Sequence, residues 1–234
     1  MSGEHREGGR DPSAGLGQRR RPQDDDAHRI VRGAENAEKG KRFGTEDTDM
    51  SARRKVMRAT VFTIGHSTRP LAEFIEMLRA HGVRRVVDVR SIPRSRHNPQ
   101  FNRETLARHL RAARIGYVHL KKLGGLRHAK ADSANLGWHN ASFRGFADYM
   151  QTDQFLTGLA RLEKLATGKP TAIMCAEAVP WRCHRSLIAD TLVVRDFPVE
   201  DIMSVARTQE HQLTPFARVR GLRITYPTDK AAKI

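Results

Sequence analysis

The chain has little cysteine, few aromatic residues and no long apolar run. Only two of its 234 residues are cysteine, and aromatic residues make up 6%. This cysteine usage argues against a secreted disulfide scaffold, and so few aromatic rings make a poor stacking platform for nucleic-acid bases. No run of about eighteen apolar residues is present to span a bilayer, and no secretory signal follows the start. We therefore expect a cytoplasmic protein with reduced thiols and no membrane partner.

Positive charge is in excess, and most of the excess lies in the second part of the chain. The net charge is +16 at pH 7. Residues 1–57 carry 13 Lys and Arg against 11 Asp and Glu, whereas residues 58–234 carry 29 against 15. A basic folded part attracts polyanions, which favours nucleic acid or a phosphorylated metabolite as the partner. The Arg-rich composition of a protein from a GC-rich genome is the alternative explanation.

Two regions of different composition divide the chain. Residues 1–57 are rich in Gly, Ser, Asp and Arg and show almost no apolar periodicity, which predicts a disordered extension of mixed basic and acidic character. Residues 58–230 contain the regular apolar patterns and are long enough to form one hydrophobic core. We therefore predict a single folded domain over residues 58–230.

Short apolar runs alternate with segments of helical periodicity in the predicted domain. The predicted strands are Thr60–Ile64, Arg85–Val89, Tyr117–Leu120 and Thr171–Cys175, with shorter ones at Val199–Ile202 and Leu222–Tyr226. The first predicted helix begins at Pro70 after a Thr68 cap, and the second follows an Asn102 cap. The third begins near Phe143 and is broken near Thr152, and the last begins at Ser186. This alternation predicts an α/β fold, a single three-layer domain whose mostly parallel sheet is flanked by helices.

The segment Cys175–Arg185 gathers both cysteines, a carboxylate, an imidazole and two guanidinium groups between a predicted strand and a predicted helix. Cys175 ends the strand, where a cysteine is usually a small buried hydrophobe. Cys183 lies outside the apolar run, among cations and before a helix N-terminus, which favours a thiolate or a bound anion. Cys183 is therefore the candidate nucleophile, and His184 is its neighbour.

Polar residues follow three of the predicted strands. Ligands of open α/β sheets bind beyond the carboxyl ends of the strands, so we expect these residues to converge in one site. They are His66 and Ser67 after the first strand, Asp88, Arg90, Arg94 and Arg96 around the end of the second, and Glu177, Cys183, His184 and Arg185 after the fourth.

The residue types at this site suggest catalytic and binding roles. His66 or His184 is expected to transfer protons near neutral pH, and Asp88 or Glu177 to orient an imidazole or act as a base. Guanidinium groups match phosphate oxygens in geometry and charge. The expected substrate-binding residues are Ser67, Arg90, Arg94, Arg96 and Arg185.

Five motifs occur in a fixed order along the predicted domain. They are Thr63–Ser67, Asp88–Arg90 with Pro93 and Ser95–Arg96, Phe101–Asn102, Leu123–Gly125 and Cys183–Arg185. Together they resemble the domain of unknown function 488 family, over roughly residues 60–227. The resemblance implies a compact α/β domain without a known reaction. It also implies family positions at His66, Asp88, Arg90, Arg96, Glu177, Cys183, His184 and Arg185.

An enzyme acting on a phosphate-bearing substrate, such as a nucleotide or nucleic acid, is the function we favour from the sequence. Its chemistry would be hydrolase- or transferase-like. A cysteine-phosphatase loop is disfavoured, because Cys175 and Arg182 are one residue too far apart. Glu177 and Pro180 also stand where such a loop has a glycine-rich phosphate cradle.

Two other functions remain open. One is a nucleic-acid-binding module without turnover, in which Trp138, Phe143 or Tyr149 stacks on bases. The other is a metal or thiol-redox site made from Cys175, Cys183, His184 and also His66. Cysteine and histidine suit zinc, but the two cysteines are further apart than the tight pair of structural zinc sites. No cofactor is strongly implied, and zinc is the one that these residue types suggest.

Overall fold

The computed structural model describes residues 58–228. These residues form a six-stranded sheet with helices on both faces, and a separate two-stranded hairpin. The predicted disordered extension over residues 1–57 lies outside the described residues, as do the last two positions of the predicted domain. In the described range, every helix is too short or too polar to cross a bilayer.

The sheet is mostly parallel, and this confirms the predicted α/β class. Its strands are β1 (Val61–Gly65), β2 (Arg85–Asp88), β3 (Gly116–His119), β4 (Thr171–Cys175), β5 (Val199–Ile202) and β6 (Thr208–Glu210). Their order is β3-β2-β4-β1-β5-β6, and the β5–β6 pair is antiparallel. The helices are α1 (Leu71–Ala80), α2 (Arg103–Ala112), α3 (Ala141–Tyr149), α4 (Asp153–Gly168) and α5 (Arg185–Val193). The hairpin consists of β7 (Arg218–Arg220) and β8 (Arg223–Thr225).

Alternation along the strands divides the hydrophobic core into two layers. Val86 packs in the layer that contains side chains of α1 and α2, whereas its neighbour Val87 packs with those of α3, α4 and α5. Leu106 and Leu110 are four residues apart on α2 and fully buried, and burying each such side chain contributes about 2 kcal/mol. Strand β4 is buried at every position, because it is central and covered on both faces.

The starts of two helices differ in detail from the prediction. Helix α1 begins directly after Pro70 and has no side-chain cap, so Thr68 does not cap it. Asn102 precedes α2 as predicted, but its side-chain oxygen accepts a hydrogen bond from the Ser95 amide rather than from the helix. Asn102 therefore holds the basic loop after β2 instead of capping α2.

The break between α3 and α4 is confirmed, whereas two strands were not predicted. Thr152 separates the helices and caps α4, its hydroxyl oxygen accepting from the Phe155 amide. Strands β6 and β7 are three residues long and carry no buried position. Such short polar segments lack the apolar alternation from which strands are predicted.

Candidate functional site

An open cleft of about 660 Å³ lies at the carboxyl ends of β1, β2 and β4. Strand β4 lies between β2 and β1, so the residues that follow these three strands meet at one edge of the sheet. Of the ten predicted site residues, the cleft lining contains His66, Ser67, Arg90, Arg94, Glu177, Cys183 and His184. Asp88, Arg96 and Arg185 are the predicted residues that are absent from the lining of this cleft.

Asp88 and Arg90 form a buried ion pair beneath the cleft. Arg90 donates from Nε to Asp88 Oδ1 at 2.9 Å and from Nη2 to Oδ2 at 2.6 Å. The Arg90 amide and the Tyr117 hydroxyl donate to the same carboxylate, at 3.0 and 2.7 Å. Burial and the Asp88 charge raise the pKa of Tyr117, which therefore remains a hydroxyl donor. Each oxygen of the fully buried Asp88 thus accepts two hydrogen bonds, and the carboxylate is committed to holding Arg90.

His66 is buried against Arg90 and stacks on the ring of Phe101 at 4.2 Å. Arg90 Nη1 lies 3.2 Å from His66 Nε2, and because a guanidinium group can only donate, Nε2 accepts. The proton is therefore on Nδ1, which donates to the Ser67 carbonyl at 2.8 Å. Burial, with a contribution from Arg90, lowers the pKa of His66 to about 4. The ring is neutral at pH 7 with both nitrogens engaged, which does not fit the expected proton transfer.

The two cysteines and His184 meet at the base of the cleft. His184 Nδ1 lies 3.8 Å from Cys175 Sγ and 3.7 Å from Cys183 Sγ. His184 Nε2 lies 3.1 Å from the carbonyl oxygens of both Val89 and Leu123, so this nitrogen carries a proton and donates. In the neutral ring, Nδ1 therefore presents its lone pair to the two sulfur atoms.

The two thiols have different acidities although both are buried and free. A hydrogen bond from Cys175, supplemented by His184 and Arg185, lowers the pKa of Cys183 below its ordinary value. The same hydrogen bond, together with burial, raises the pKa of Cys175. Cys183 is consequently the first of the pair to form a thiolate.

Cys183 reaches Cys175 because the chain between them turns back. A short 3-10 turn at Pro180–Arg182 reverses the chain, and the Cys183 amide donates to the Pro180 carbonyl at 2.9 Å. Arg185 is only 1% exposed and donates to the carbonyl oxygens of Glu177 and the residue after it. Arg185 therefore holds this loop, and its guanidinium group faces main-chain oxygens rather than the cleft.

The Leu123–Gly125 motif supports His184 from the opposite wall. Leu123 supplies one of the two carbonyl oxygens that accept from His184, and Gly125 lies against the imidazole. A Cβ atom at Gly125 would overlap the ring atoms of His184. Glycine is therefore required there by the close approach of the main chain to the site.

Replacing Gly125 with alanine is expected to displace the His184 ring and to lower the free energy of unfolding by about 1–3 kcal/mol. Gly168→Ala is the matched control, because a Cβ atom there meets nothing within 4 Å. Urea unfolding should show the loss for Gly125→Ala alone, and the imidazole signals of His184 in NMR spectra should shift. Equal stability of the two variants, with unshifted His184 signals, would contradict the packing described here.

Exposed cations and apolar side chains form the mouth of the cleft. Arg94 and Arg182 are exposed lining residues, and Glu177 is the acidic member of the lining. In the part of the chain that the structure describes, neither arginine forms an ion pair. Ile92 and Leu126 add apolar surface and are 65% and 69% exposed. Arg182 was not among the predicted site residues, although it lies between Cys175 and Cys183 in the sequence, directly before Cys183.

The irregular segment 126–140 is tied to α3 by Asp148. The side chains of Ser133 and Asn135 donate to Asp148 Oδ1 at 2.6 and 2.8 Å, and the Lys130 amide donates to Oδ2 at 2.9 Å. Asp148 is buried, so these bonds replace its contacts with water. The segment that borders the cleft is thus fixed by a residue that in the sequence looks like an ordinary surface aspartate.

The aromatic side chains considered for base stacking pack against other residues of the domain. The Trp138 ring lies 4.7 Å from that of Phe143 and 4.9 Å from that of Phe216. Arg127 covers the Tyr149 ring at 3.6 Å from its centroid. Arg127 thus covers one face of the Tyr149 ring and Trp138 packs among other rings, whereas Phe143 also lines the cleft.

One protein family matches this chain. Its sequence model, described as Domain of unknown function DUF488, matches residues 70–192, which is more than half of the chain. The matched span includes the Asp88–Arg90 pair and the Cys175–His184 segment, and it begins after His66 and Ser67. No curated protein and no solved structure gave a match.

Proposed function

Because the chain belongs to the DUF488 family, whose description assigns no reaction, we propose a function from the geometry of its cleft. The proposal is that the protein is an enzyme acting on a phosphate-bearing substrate such as a nucleotide or nucleic acid. One juxtaposition carries it: the sulfur and imidazole of Cys183 and His184 lie in an open cleft that Arg94 and Arg182 also line. Reactive groups and anion-binding groups thus share one cavity.

The binding step uses the cations at the mouth of the cleft. Arg94 and Arg182 attract the phosphate and hold its oxygens through paired N–H groups. Arg90 adds one donor, because the second N–H of its Nη1 has no acceptor within residues 58–228. Ile92 and Leu126 provide apolar surface for the base or sugar of a nucleotide. The lining therefore suits a ligand with both an anionic and an apolar part.

The chemical step is hydrolase- or transferase-like and takes place at the Cys183–His184 group. Glu177 is the proposed base, because it is exposed and supplies a carboxylate to the lining. Asp88 and His66 are proposed as positioning residues, since both act on Arg90 through hydrogen bonds. Ser67 is proposed to contribute its hydroxyl to phosphate binding.

The binding part of the proposal is tested with an Arg94→Ala/Arg182→Ala double variant. Its affinity for inorganic phosphate, measured by calorimetry, is expected to fall at least about tenfold, since a hydrogen bond to a charged group contributes about 1.5–3 kcal/mol. Arg79→Ala is the control, because Arg79 is exposed on α1 and absent from the cleft lining. Unchanged affinity in the double variant, or an equal loss in the control, would refute the assignment of phosphate to this cleft.

The catalytic part is tested with 4-nitrophenyl phosphate and bis(4-nitrophenyl) phosphate as monoester and diester probes. Wild type is expected to release nitrophenolate from one of them, and Cys183→Ser and His184→Gln to lose at least about a hundredfold in rate. Phosphate and single-stranded DNA that bind to this cleft without turnover of either ester would instead support a binding module.

A further inference from the structure

Three metal-binding side chains, one at the end of β4 and two just before α5, converge at the base of the cleft. Cys175 Sγ, Cys183 Sγ and His184 Nδ1 all lie within 4.8 Å of one another. In a tetrahedral zinc site, bond lengths of about 2.3 Å to sulfur and about 2.0 Å to nitrogen place these ligand atoms about 3.6 Å apart. The observed nitrogen–sulfur distances are 3.7 and 3.8 Å. Both nitrogen–sulfur distances thus match the edges of a zinc tetrahedron, and the two sulfur atoms lie within 4.8 Å of each other.

The His184 nitrogen can accept a hydrogen bond from only one of the two thiols at a time, and the other thiol has only a sulfur atom, which is a weak acceptor, as its partner. Nδ1 of His184 has a single lone pair and can accept only one S–H, yet it lies almost equally far from both sulfur atoms. The two sulfur atoms are not joined as a disulfide. A cation at the centre of the triangle satisfies all three donors at once.

The surroundings of His184 fit a metal ligand. Its Nε2–H donates to the carbonyl oxygens of Val89 and Leu123, each at 3.1 Å. Metal-bound histidines usually donate their other ring N–H to a carbonyl or carboxylate, which fixes the tautomer and aims the free nitrogen at the ion. The Gly125 main chain closes the remaining side of the ring and prevents it from turning away.

We infer that Cys175, Cys183 and His184 bind a zinc ion. Thiolate and imidazole are the donors that zinc prefers, and two thiolate charges balance the charge of the ion in a buried site. All three ligand residues line the cleft, so the fourth coordination position opens into it. That position takes water or a phosphate oxygen, and Cys183 then acts as a ligand at the reaction centre. Only this use of the open position rests on the proposed function, because zinc binding itself requires no turnover.

The test uses the full chain, purified without a histidine tag and under reducing conditions. Elemental analysis is expected to find close to one zinc per chain in wild type, and at least a tenfold loss in Cys175→Ser, Cys183→Ser and His184→Gln. His97→Gln is the matched control, because His97 is exposed and outside the cleft lining, and its zinc content should equal that of wild type. Replacement of zinc by cobalt(II) should give thiolate-to-cobalt charge-transfer and tetrahedral d–d absorption bands.

A His184→Cys variant keeps three metal-binding side chains. It therefore tests whether the other variants lose zinc because a ligand is missing or because they misfold. It is expected to retain cobalt with stronger charge-transfer absorption. Wild type that binds no zinc or cobalt even after titration would overturn the inference, as would selective binding of copper or iron. Turnover of a phosphate ester by such metal-free protein would leave the proposed function standing. Conversely, stoichiometric zinc in protein that neither binds phosphate nor cleaves an ester would refute the proposed function and support the zinc site.

Discussion

Arg90→Met is expected to lower the free energy of unfolding by about 3–5 kcal/mol, the cost of leaving a buried charge without its partner. Asp88 is fully buried, and the Arg90 side chain supplies two of the four hydrogen bonds that its carboxylate accepts. The substitution also removes the donor to His66 Nε2 and to the Phe101 carbonyl. Urea unfolding at constant pH measures the loss.

Two comparisons distinguish the effect of an unpaired Asp88 carboxylate from a nonspecific loss of stability. Arg94→Met lies four residues further along the same basic loop at an exposed position, and it should change stability by less than about 0.5 kcal/mol. The double variant Asp88→Leu/Arg90→Met removes both charges and should recover at least half of the loss. If Arg90→Met is as stable as Arg94→Met, Asp88 does not depend on Arg90, and the positioning role proposed for this pair is wrong.

The second large effect is a loss of stability at alkaline pH that depends on His211. This imidazole is buried between two carboxylates, with Nε2 2.9 Å from Asp190 and Nδ1 3.2 Å from Asp201. Burial alone would lower its pKa, but the hydrogen bonds to Asp190 and Asp201 raise the pKa of His211 to about 9. The Tyr226 hydroxyl also donates to Asp190, and the Thr63 hydroxyl donates to Asp201. His211 is therefore a cation at pH 7 that links β5 to α5.

The raised pKa sets the pH range of this effect. Below the ordinary pKa of 6.5, His211 is protonated in both the folded and the unfolded chain, and its stabilising contribution is complete. As the pH rises through about 9, the folded protein loses the proton and the contribution disappears. This difference in the His211 pKa between the folded and the unfolded chain corresponds to roughly 3 kcal/mol of stability.

Unfolding in urea should be compared for wild type and His211→Gln from pH 6 to pH 10. The stability difference between the two is expected to be largest at the acid end and to shrink towards the alkaline end, because the neutral histidine no longer pairs with two carboxylates. His97→Gln should follow wild type throughout, since that side chain is exposed. A difference that stays constant over this range would show that His211 is not charged in the folded protein.

Several elements follow directly from residue patterns. Strand β4 agrees with its prediction at both ends, because a strand covered on both faces leaves an unbroken apolar run between polar breaks. The break between α3 and α4 is likewise visible, because Thr152 and Asp153 interrupt the helical periodicity, and Thr152 caps the second helix. His66, Arg90 and Cys183 converge on one cleft because ligand sites of parallel sheets form at the carboxyl ends of the strands.

The hydrogen-bond partners of the polar residues could not be predicted from sequence patterns. Asp88 and Arg185 are residue types typical of functional sites. Asp88 nevertheless binds Arg90, and Arg185 binds main-chain carbonyl oxygens. Arg96 belongs to the same basic loop as Arg94, but of these two residues only Arg94 lines the cleft. Asp148, which holds an entire irregular segment, carries no local signal at all.

Local residue preferences are therefore enough to specify an α/β sheet and the edge of the sheet at which the functional side chains lie. The reason is that burial periodicity and strand direction depend on residues that are close together in the sequence. The arrangement of the thiols around His184 is different. It depends on a reversed loop, a glycine that leaves room for the ring and two carbonyl oxygens from distant segments. Hydrogen-bond and ligand geometry requires atoms to be placed to within a few tenths of an ångström, and in this chain long-range packing sets those positions.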